Sequence, residues 1–288
     1  MRGWLVVNGF LRSGKFEEIY TYLGASAEAA GIELSVKRSD ELAGVVGDGI
    51  KDGGKPDFAL FWDKDICLAH RLEAAGIRLF NSARAVEICD NKALTALALS
   101  GRVATPRTVI APKTFHNIGY TDKTFIARAG EMLGFPMVIK EAYGSFGAQV
   151  HLVRDLSEAE NIVDTFDGRD FVMQEFIKES AGRDIRINVV GGRVVCAMKR
   201  QNDHDFRSNV TNGGKTTPFT PTPEQSAAAI AACEAIGLDF AGVDVLFGDD
   251  GEAIVCEVNS NPHFKSSLEC TGVDISRDII AHIKASLK

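Results

Sequence analysis

Three oxygen-bearing side chains, Asp244, Glu257 and Asn259, stand close together in residues 241–262, which read AGVDVLFGDDGEAIVCEVNSNP. Two apolar runs flank a Gly-Asp-Asp-Gly tetrapeptide, and this pattern predicts a β-hairpin with the three polar side chains on one face. Two carboxylates and an amide on one face either bind a divalent cation, Mg²⁺ above all, or form a solvated outer surface. The same alternation assigns an apolar face to the core, composed of Val243, Val245, Phe247, Ile254, Cys256 and Val258.

A lysine and a glycine-containing loop precede this hairpin along the chain. The predicted strand 137–140 ends in Lys140, and residues 142–149 read AYGSFGAQ before another predicted strand at 150–153. Glycine allows such a loop to fold its backbone N–H groups over phosphates as a flexible flap. The simpler interpretation is a plain hairpin with a Gly-Ser turn.

Arginines concentrate in a second polar region. Residues 182–199 predict a hairpin whose first strand carries Asp184, Arg186 and Asn188 on one face. The loop that follows contains Arg200 and Arg207 among amides and hydroxyls. Guanidinium groups bind carboxylates and phosphates through paired hydrogen bonds, so this loop is a candidate anion site, or else a solvated loop.

The first 88 residues alternate strand and helix, which predicts a small open α/β sheet, and residues 86–99 predict one helix that contains Lys92. Residues 9–15 read GFLRSGK and match the spacing of a phosphate-binding P-loop up to its lysine. Phe16 replaces the hydroxyl residue that would bind magnesium, so an ordinary strand-to-helix turn that faces a cleft is favoured. A phosphotransferase that uses Lys15 is the alternative.

The composition is that of an ordinary globular protein. Of the 288 residues, 45% are hydrophobic and 25% are charged, with a formal net charge of −7. This acidic balance argues against general binding to nucleic acids or to anionic membranes. The six cysteines include no C-x-x-C pair, which favours reduced thiols, and no apolar run is long enough to span a membrane. We therefore expect a cytoplasmic protein.

Several of these motifs, taken in order, resemble a known superfamily. They are Lys92, Lys140 with its glycine loop, QEFI at 174–177, GRDIRINVVGGRVVCAMKR at 182–200, DFRSN at 205–209, and AGVDV followed by EVNSNP. The sequence resembles the ATP-grasp superfamily, and within it the RimK-type carboxylate-amine ligases. The resemblance implies an α/β fold that is α+β in the grasp half. A small N-terminal α/β sheet domain at 1–88 would precede a two-lobed ATP-grasp fold, with a central lobe at 89–177 and a C-terminal lobe at 178–288.

The resemblance also implies a set of site residues. ATP would be held by Lys92 and Lys140, by the flap residues Gly144, Ser145 and Gly147, by an adenine hinge at Gln174, Glu175, Phe176 and Ile177, and by Asp184 at the ribose. The arginines Arg186, Arg200 and Arg207, with Ser208 and Asn209, would line the place where the γ-phosphate meets a substrate carboxylate. Asp244, Glu257 and Asn259 would bind Mg²⁺, with two ions expected and Mn²⁺ as a substitute.

The implied activity is ATP- and Mg²⁺-dependent formation of an amide between a carboxylate, such as that of glutamate, and an amine of a small molecule or peptide. An acyl phosphate and ADP form first, and the amine then attacks the activated carbonyl. The alternative is a nucleotide-binding relative without ligase turnover. The family also suggests a homodimer or homotetramer. Residues 261–265, which read NPHFK, depart from the family pattern, so substrate specificity does not follow from the resemblance.

Overall fold

The chain folds around three β-sheets that follow one another along the sequence. The computed structural model describes residues 1–50, 54–144, 147, 149–209 and 213–288. The first sheet lies within residues 2–80, the second within 108–175 and the third within 183–259. This mixed architecture confirms the predicted fold class. No helix in the described ranges is both long enough and apolar enough to cross a membrane.

The first sheet is open, as predicted, and its strands are all parallel. Its strands are β1 (Arg2–Val7), β2 (Glu33–Arg38), β3 (Phe58–Trp62) and β4 (Leu79–Phe80), in the order β2-β1-β3-β4. Helix α1 (Gly14–Ala29) connects β1 to β2, and helix α2 (Ile66–Ala74) connects β3 to β4. β1 and β3 are buried nearly throughout, as continuous apolar strands in parallel sheets are. Their carboxyl ends meet at one edge of the sheet.

Two helices replace the single helix predicted over residues 86–99. α3 (Ala83–Asp90) and α4 (Lys92–Leu99) are separated by Asn91, whose backbone is extended. The Asn91 side chain accepts hydrogen bonds from two backbone N–H groups in the first turn of α4, so it caps that helix. The prediction of one helix was wrong because apolar periodicity continues across this capping residue. Lys92 thereby becomes the first residue of a helix, and the predicted domain boundary after residue 88 falls inside α3.

The second sheet is antiparallel and is covered by helices on one face. Its strands are β5 (Thr108–Ile110), β6 (Met137–Glu141), β7 (Val150–Val153) and β8 (Phe171–Glu175), in the order β5-β8-β6-β7. α5 (Thr124–Leu133) and α6 (Leu156–Asp164) pack over an aromatic core that includes Phe166 and Phe171. The opposite face carries Val138, Lys140 and Gln174, which border a cleft.

The third sheet has helices on both faces. Its strands are β9 (Arg183–Val190), β10 (Arg193–Gln201), β11 (Lys215–Pro218), β12 (Phe240–Phe247) and β13 (Ala253–Asn259), in the order β11-β10-β9-β12-β13. α7 (Pro223–Ile236) covers one face, and α8 (Lys265–Thr271) and α9 (Ile275–Ser286) pack on the other. The sequence predicted neither β11, which lies in a segment interpreted as a loop, nor α8.

One buried asparagine and a shared apolar core join the first sheet to the third. Trp62 stacks on Phe240 with ring centroids 5.5 Å apart, and α1 packs against α9. Asn81 is 0% exposed and donates to the backbone carbonyls of Phe240 and Ser260. Its oxygen accepts from the backbone N–H groups of Asp239 and Phe240. The full hydrogen-bonding capacity of this amide is therefore used across the junction.

Replacing Asn81 with alanine is expected to destabilise the protein strongly. Four hydrogen bonds to backbone groups at the junction would be lost, and each buried polar group left unpaired costs about 1–3 kcal/mol. We expect the free energy of unfolding to fall by about 3–5 kcal/mol in urea titrations followed by circular dichroism. The exposed Asn117→Ala is the control, with a change below about 0.5 kcal/mol. Equal effects of the two substitutions would contradict the role given to Asn81.

Candidate active site

Two adjoining clefts contain every predicted site residue that the structure describes. The first cleft lies between the second and third sheets, and the second lies between the first and third sheets. The predicted residues that line the first cleft are Lys92, Lys140, Gly144, Gly147, Gln174, Glu175, Phe176, Ile177, Asp184, Arg200, Arg207, Ser208, Asn209, Asp244 and Glu257. The second cleft contains the others, Arg186 and Asn259. Ser145, predicted to belong to the flap, lies outside the described residues.

The two clefts meet at three side chains. Arg200, Asn209 and Glu257 line both of them. The second cleft has a volume of about 580 Å³, which is in the range of small-molecule sites. One of its walls comes from the first sheet, where Asn8 and Asp63 directly follow the carboxyl ends of β1 and β3. A molecule in the second cleft can therefore contact residues that also border the first.

The hairpin of β12 and β13 holds the predicted cation ligands side by side. Asp244 lies directly opposite Glu257, and Gly242 lies opposite Asn259. Opposite residues of an antiparallel pair project from the same face of the sheet, so all three ligand side chains share a face. The shared face that side-chain alternation predicted for these residues is the observed one.

A β-bulge changes the other half of this hairpin. Val245 pairs with Val255, so Cys256 is left as an extra residue on β13. Cys256 was predicted to lie on the core face, and this was wrong, because the bulge turns its side chain into the first cleft. There its sulfur lies 3.5 Å from Nζ of Lys140. Strict alternation along the strand could not have revealed this, since a bulge depends on how two strands pair.

Four charged side chains form a buried network beneath both clefts. Arg186 lies opposite Asp244 on neighbouring strands and donates through Nε and Nη2 to the two carboxylate oxygens. Arg200 lies opposite Asp184 and binds it in the same bidentate manner, with Nε 2.7 Å from Oδ1. Nη2 of Arg200 also lies 3.0 Å from Oδ2 of Asp244, which links the two pairs. Paired guanidinium–carboxylate contacts of this kind combine strong hydrogen bonds with a fixed geometry.

Opposite charges decide the ionisation of this network. Burial raises the pKa of Asp244, but the charges of Arg186 and Arg200 outweigh burial and hold it below the usual value. Burial lowers the pKa of Arg200, but Asp184 and Asp244 raise it well above the usual value. Both groups are therefore charged at neutral pH. Within the described chain, Nη1 of Arg200 makes no hydrogen bond, so this donor is available to a ligand.

Carboxylate and amide oxygens beside Asp244 fit a divalent cation. The side chain of Glu257 makes no hydrogen bond or ion pair with any residue in the described ranges, although its backbone belongs to the β12–β13 pairing. Asn259 uses its amide nitrogen toward the carbonyl of Gly242 at 3.4 Å, which leaves its oxygen for another partner. Mg²⁺ prefers such oxygen ligands. The described residues contain no cluster of three His, Cys, Asp or Glu side chains, so a site here would combine two carboxylates with an amide.

Two cationic side chains contact the predicted flap at Gly144 and Gly147. Nζ of Lys92 donates to the carbonyl of Gly144 at 3.2 Å, and Nη1 of Arg207 donates to the carbonyl of Gly147 at 2.6 Å. Burial lowers the pKa of Lys92, while the nearby Glu257 carboxylate raises it in part. The loop is therefore held by the same types of side chain that would bind phosphates.

The predicted adenine hinge lies where β8 leaves its sheet. β8 ends at Glu175, and Phe176 and Ile177 follow beyond it. The buried Gln174 side chain donates to the Thr108 hydroxyl on β5 at 2.9 Å. The Glu175 carboxylate accepts from the backbone N–H of Arg107, just before β5, at 2.7 Å. Phe176 packs edge-on against Phe206, 6.3 Å between centroids. The contacts of these residues with adenine, and of Asp184 with ribose, stay predictions.

The second cleft also contains residues that were not predicted as site residues. Besides Asn8 and Asp63 they are Leu11, Lys15, Phe16, Tyr20, Trp62, Lys64, Met198, Asn261, His263, Lys265, Ser266 and Glu269. The loop at 9–15 therefore faces a cleft, as expected. Its lysine, Lys15, lines the second cleft and not the first cleft, where the residues predicted to bind ATP lie. Nε2 of His263 lies 3.2 Å from the carbonyl oxygen of Lys15. One signal could have identified Asp63: it directly follows a buried parallel strand.

Comparisons with known proteins agree with this geometry. The sequence pattern of the RimK-like ATP-grasp domain matches residues 89–283. A "Probable alpha-L-glutamate ligase" of Syntrophotalea carbinolica is 37% identical over 77% of this chain and 72% of its own length. Human N-acetylaspartylglutamate synthase A is 34% identical over 78% of this chain and 56% of its own length. The structure of D-alanine–D-alanine ligase from Bacillus anthracis, complexed with ATP, superposes with a TM-score of 0.74 at 20% identity, covering 100% of this chain and 97% of that one.

The charge network predicts a pH-dependent effect of Asp244→Asn. The substitution leaves Arg186 without a charged partner and removes one of the two carboxylates that bind Arg200. It should cost about 3–5 kcal/mol of unfolding free energy at neutral pH. The pKa of Asp244 is lower in the folded state than in the unfolded state. The ionised carboxylate therefore contributes its full share of the unfolding free energy above the unfolded pKa of about 3.9, and this share is lost as pH falls through the folded pKa. The difference from wild type should therefore narrow below about pH 4.

Urea unfolding across this pH range measures that difference. The matched control is Asp249→Asn, an exposed aspartate at the tip of the same hairpin, which should show little effect at any pH. A difference for Asp244→Asn that stays constant through the acid range would contradict the ionised network.

Proposed function

The chain belongs to the RimK-like ATP-grasp family of ATP-dependent carboxylate-amine ligases, and we propose that it joins an amino acid, such as glutamate, to an amine. The observation that carries this proposal is the meeting of two clefts at Arg200, Asn209 and Glu257. One cleft has the lysines and oxygen ligands that a triphosphate and its metal ion require. The other has room for an acid and an amine. A phosphoryl group at the boundary would be in reach of both.

The residues that would hold ATP are those of the first cleft. Lys92 and Lys140 would contact phosphate oxygens, with the loop at Gly144 and Gly147 above them, and the backbone of 175–177 would receive the adenine. Mg²⁺, held by Asp244, Glu257 and Asn259, would neutralise phosphate charge and orient the γ-phosphate. Because Arg186 and Arg200 already bind Asp244, the arginines and the cation would share this carboxylate.

The first step overcomes repulsion between two anions. An oxygen of the substrate carboxylate attacks the γ-phosphorus of ATP, the bond from phosphorus to the bridging oxygen breaks, and ADP leaves. The product that stays bound is an acyl phosphate. Lys92, Lys140 and Arg207 supply positive charge where the two anions approach each other, which is the main contribution a protein makes to such a reaction.

The second step forms the amide. The amine attacks the acyl carbon, a tetrahedral intermediate forms, and inorganic phosphate leaves with the bonding electrons while the amine loses a proton. Nη1 of Arg200 is the donor proposed to stabilise the negative oxygen of this intermediate. Its guanidinium is fixed by two carboxylates, so little reorganisation would be needed when charge develops. Exclusion of water by the flap would protect the acyl phosphate from hydrolysis.

Several finer points belong to the same proposal. Two Mg²⁺ ions would be bound per site, with Mn²⁺ able to replace them. The amine acceptor would be a small molecule or a peptide end. The protein would act in the cytoplasm as a homodimer or homotetramer.

A screen of amino acids paired with amines should yield at least one pair that releases ADP, with the amide identified by mass spectrometry. In that assay Glu257→Gln should lower kcat by about 100-fold or more, because a cation ligand at the boundary of the clefts loses its charge. Glu252→Gln, on the exposed tip of the same hairpin, is the matched control and should keep full activity. Unimpaired ADP release by Glu257→Gln would contradict the proposal that Glu257 is a metal ligand.

Nucleotide binding distinguishes the ATP-grasp site from a P-loop site. Lys140→Ala should weaken ATP binding about 10- to 100-fold, as expected for the loss of a charge-assisted contact. Lys15→Ala should leave the dissociation constant nearly unchanged, because Lys15 lines the second cleft. Calorimetric titration with a non-hydrolysable ATP analogue measures both. The reverse pattern would support the phosphotransferase alternative.

A further inference from the structure

The segment at 261–265, which departs from the family pattern, connects the third sheet to the first. Phe264 is 1% exposed and belongs to the apolar core that the two sheets share. Lys265 forms an ion pair with Glu18 on α1. Three side chains of the segment also line the second cleft. The segment therefore fixes the position of the first sheet and borders the proposed substrate site at the same time.

His263, in the middle of this segment, contacts the loop at 9–15 and the residue after it. Its Nε2 lies 3.2 Å from the backbone carbonyl oxygen of Lys15. Its ring meets that of Phe16 edge-on, with centroids 6.1 Å apart. A carbonyl oxygen only accepts hydrogen bonds, so Nε2 carries the hydrogen and donates it. Phe16, which stands in place of the hydroxyl residue of a P-loop, thus has a packing partner in the third sheet's following segment.

The contact between His263 and the loop does not depend on charge. Burial lowers the pKa of His263 most, and the ammonium groups of Lys15 and Lys265 lower it further, while the hydrogen bond to the Lys15 carbonyl raises it in part. The ring is therefore neutral at neutral pH. Because Nε2 carries the single hydrogen of the neutral ring, an uncharged amide N–H at the same point would replace it.

The first half of the loop is hydrogen-bonded locally. The backbone N–H groups of Phe10 and Leu11 donate to Oδ1 of Asn8, at 2.9 Å and 3.2 Å. Phe10 is 80% exposed and Leu11 is 48% exposed, so packing contributes little to their position. The contacts of His263 at the other end of the loop join it to the third sheet.

We propose that His263 is a positioning residue for the substrate site, because it holds the loop at 9–15 in place beside the second cleft. The inference rests on the proposed ligase function, which assigns the acid and the amine to that cleft. Leu11, Lys15 and Phe16 line the second cleft and do not line the first. A loop held in one position gives the second cleft one shape. His263 thus affects how tightly the substrates bind and leaves the nucleotide site unchanged.

Amide hydrogen exchange measures the position of the loop without any substrate. In His263→Ala, peptides that cover residues 9–17 should exchange about 3- to 10-fold faster than in the wild type, because a hydrogen bond that limits local opening is lost. His263→Gln should exchange as the wild type does, since its amide nitrogen lies as many bonds from Cβ as Nε2 of histidine. In His263→Asn the amide nitrogen lies nearer to Cβ, so this variant should behave like His263→Ala.

Steady-state kinetics test whether the position of the loop matters for the substrates. With the pair of acid and amine found by ADP release, His263→Ala should raise KM for at least one of the two about 3- to 10-fold and change kcat by less than about 2-fold, as when binding energy common to the ground and transition states is lost. His263→Gln should restore KM. The dissociation constant of a non-hydrolysable ATP analogue should be the same in all variants. His116→Ala, an exposed histidine that lines neither cleft, is the control and should match the wild type throughout.

Three results would overturn the positioning role: wild-type exchange of residues 9–17 in His263→Ala, wild-type KM values in His263→Ala, or a His263→Gln variant that behaves like His263→Ala. The ligase proposal is judged separately. It would fail if the wild type released ADP with no pair of acid and amine, and the effect of His263 on substrate binding would fail with it. The exchange rates would still decide whether His263 holds the loop.

Discussion

Two arginine–aspartate pairs buried in the third sheet are the interaction on which the site depends. Removing four charges from water is costly, and such pairs are tolerated only when the geometry is good and the charges balance. Here both conditions hold, because Asp184 faces Arg200 and Asp244 faces Arg186 across neighbouring strands. The need to pair these four charged side chains therefore fixes the register of β9, β10 and β12. A one-residue slip of β9 would turn Asp184 and Arg186 to the other face, which is an apolar core.

The network also explains why the candidate metal ligand can be buried before any ligand binds. Asp244 is 4% exposed, and an unpaired carboxylate at that depth would be protonated or the fold would be destabilised. The arginines keep it ionised and oriented. A cation that binds here meets a carboxylate that is already charged, and the guanidinium groups stay close to any phosphate that the cation holds. The same contacts therefore stabilise the fold and prepare the site.

Sequence patterns predicted the features that depend on local alternation and capping. They identified the hairpin face of Asp244 and Glu257 and the open α/β sheet of the first 88 residues, whereas most residues of the first cleft followed from the resemblance to a family. They failed where the outcome depends on how elements pair. The bulge that turns Cys256 into the cleft is a property of two strands together. The break at Asn91 was visible as a capping residue, but periodicity masked it. The second cleft exists only because the first sheet docks on the third, so Asp63 and Asn261, 198 residues apart, could not be linked from sequence.

The two clefts differ in how their charges are satisfied, and this difference has a physical meaning. Beneath the first cleft, Asp184 and Asp244 are already paired with Arg200 and Arg186. A ligand in this cleft therefore interacts mainly with the lysines and with the oxygen atoms that have no partner in the described chain. Beside the second cleft, Oδ2 of Asp63 and Oδ1 of Asn261 are buried without a hydrogen-bond partner in the described chain, at a cost to stability. Oδ1 of Asn188 bears the same cost in the third sheet, although Asn188 does not line the second cleft. An unpaired acceptor therefore does not by itself identify a ligand site. Arg200 lines both clefts, and its Nη1 makes no hydrogen bond within the described chain, so this side chain can serve ligands in either cleft.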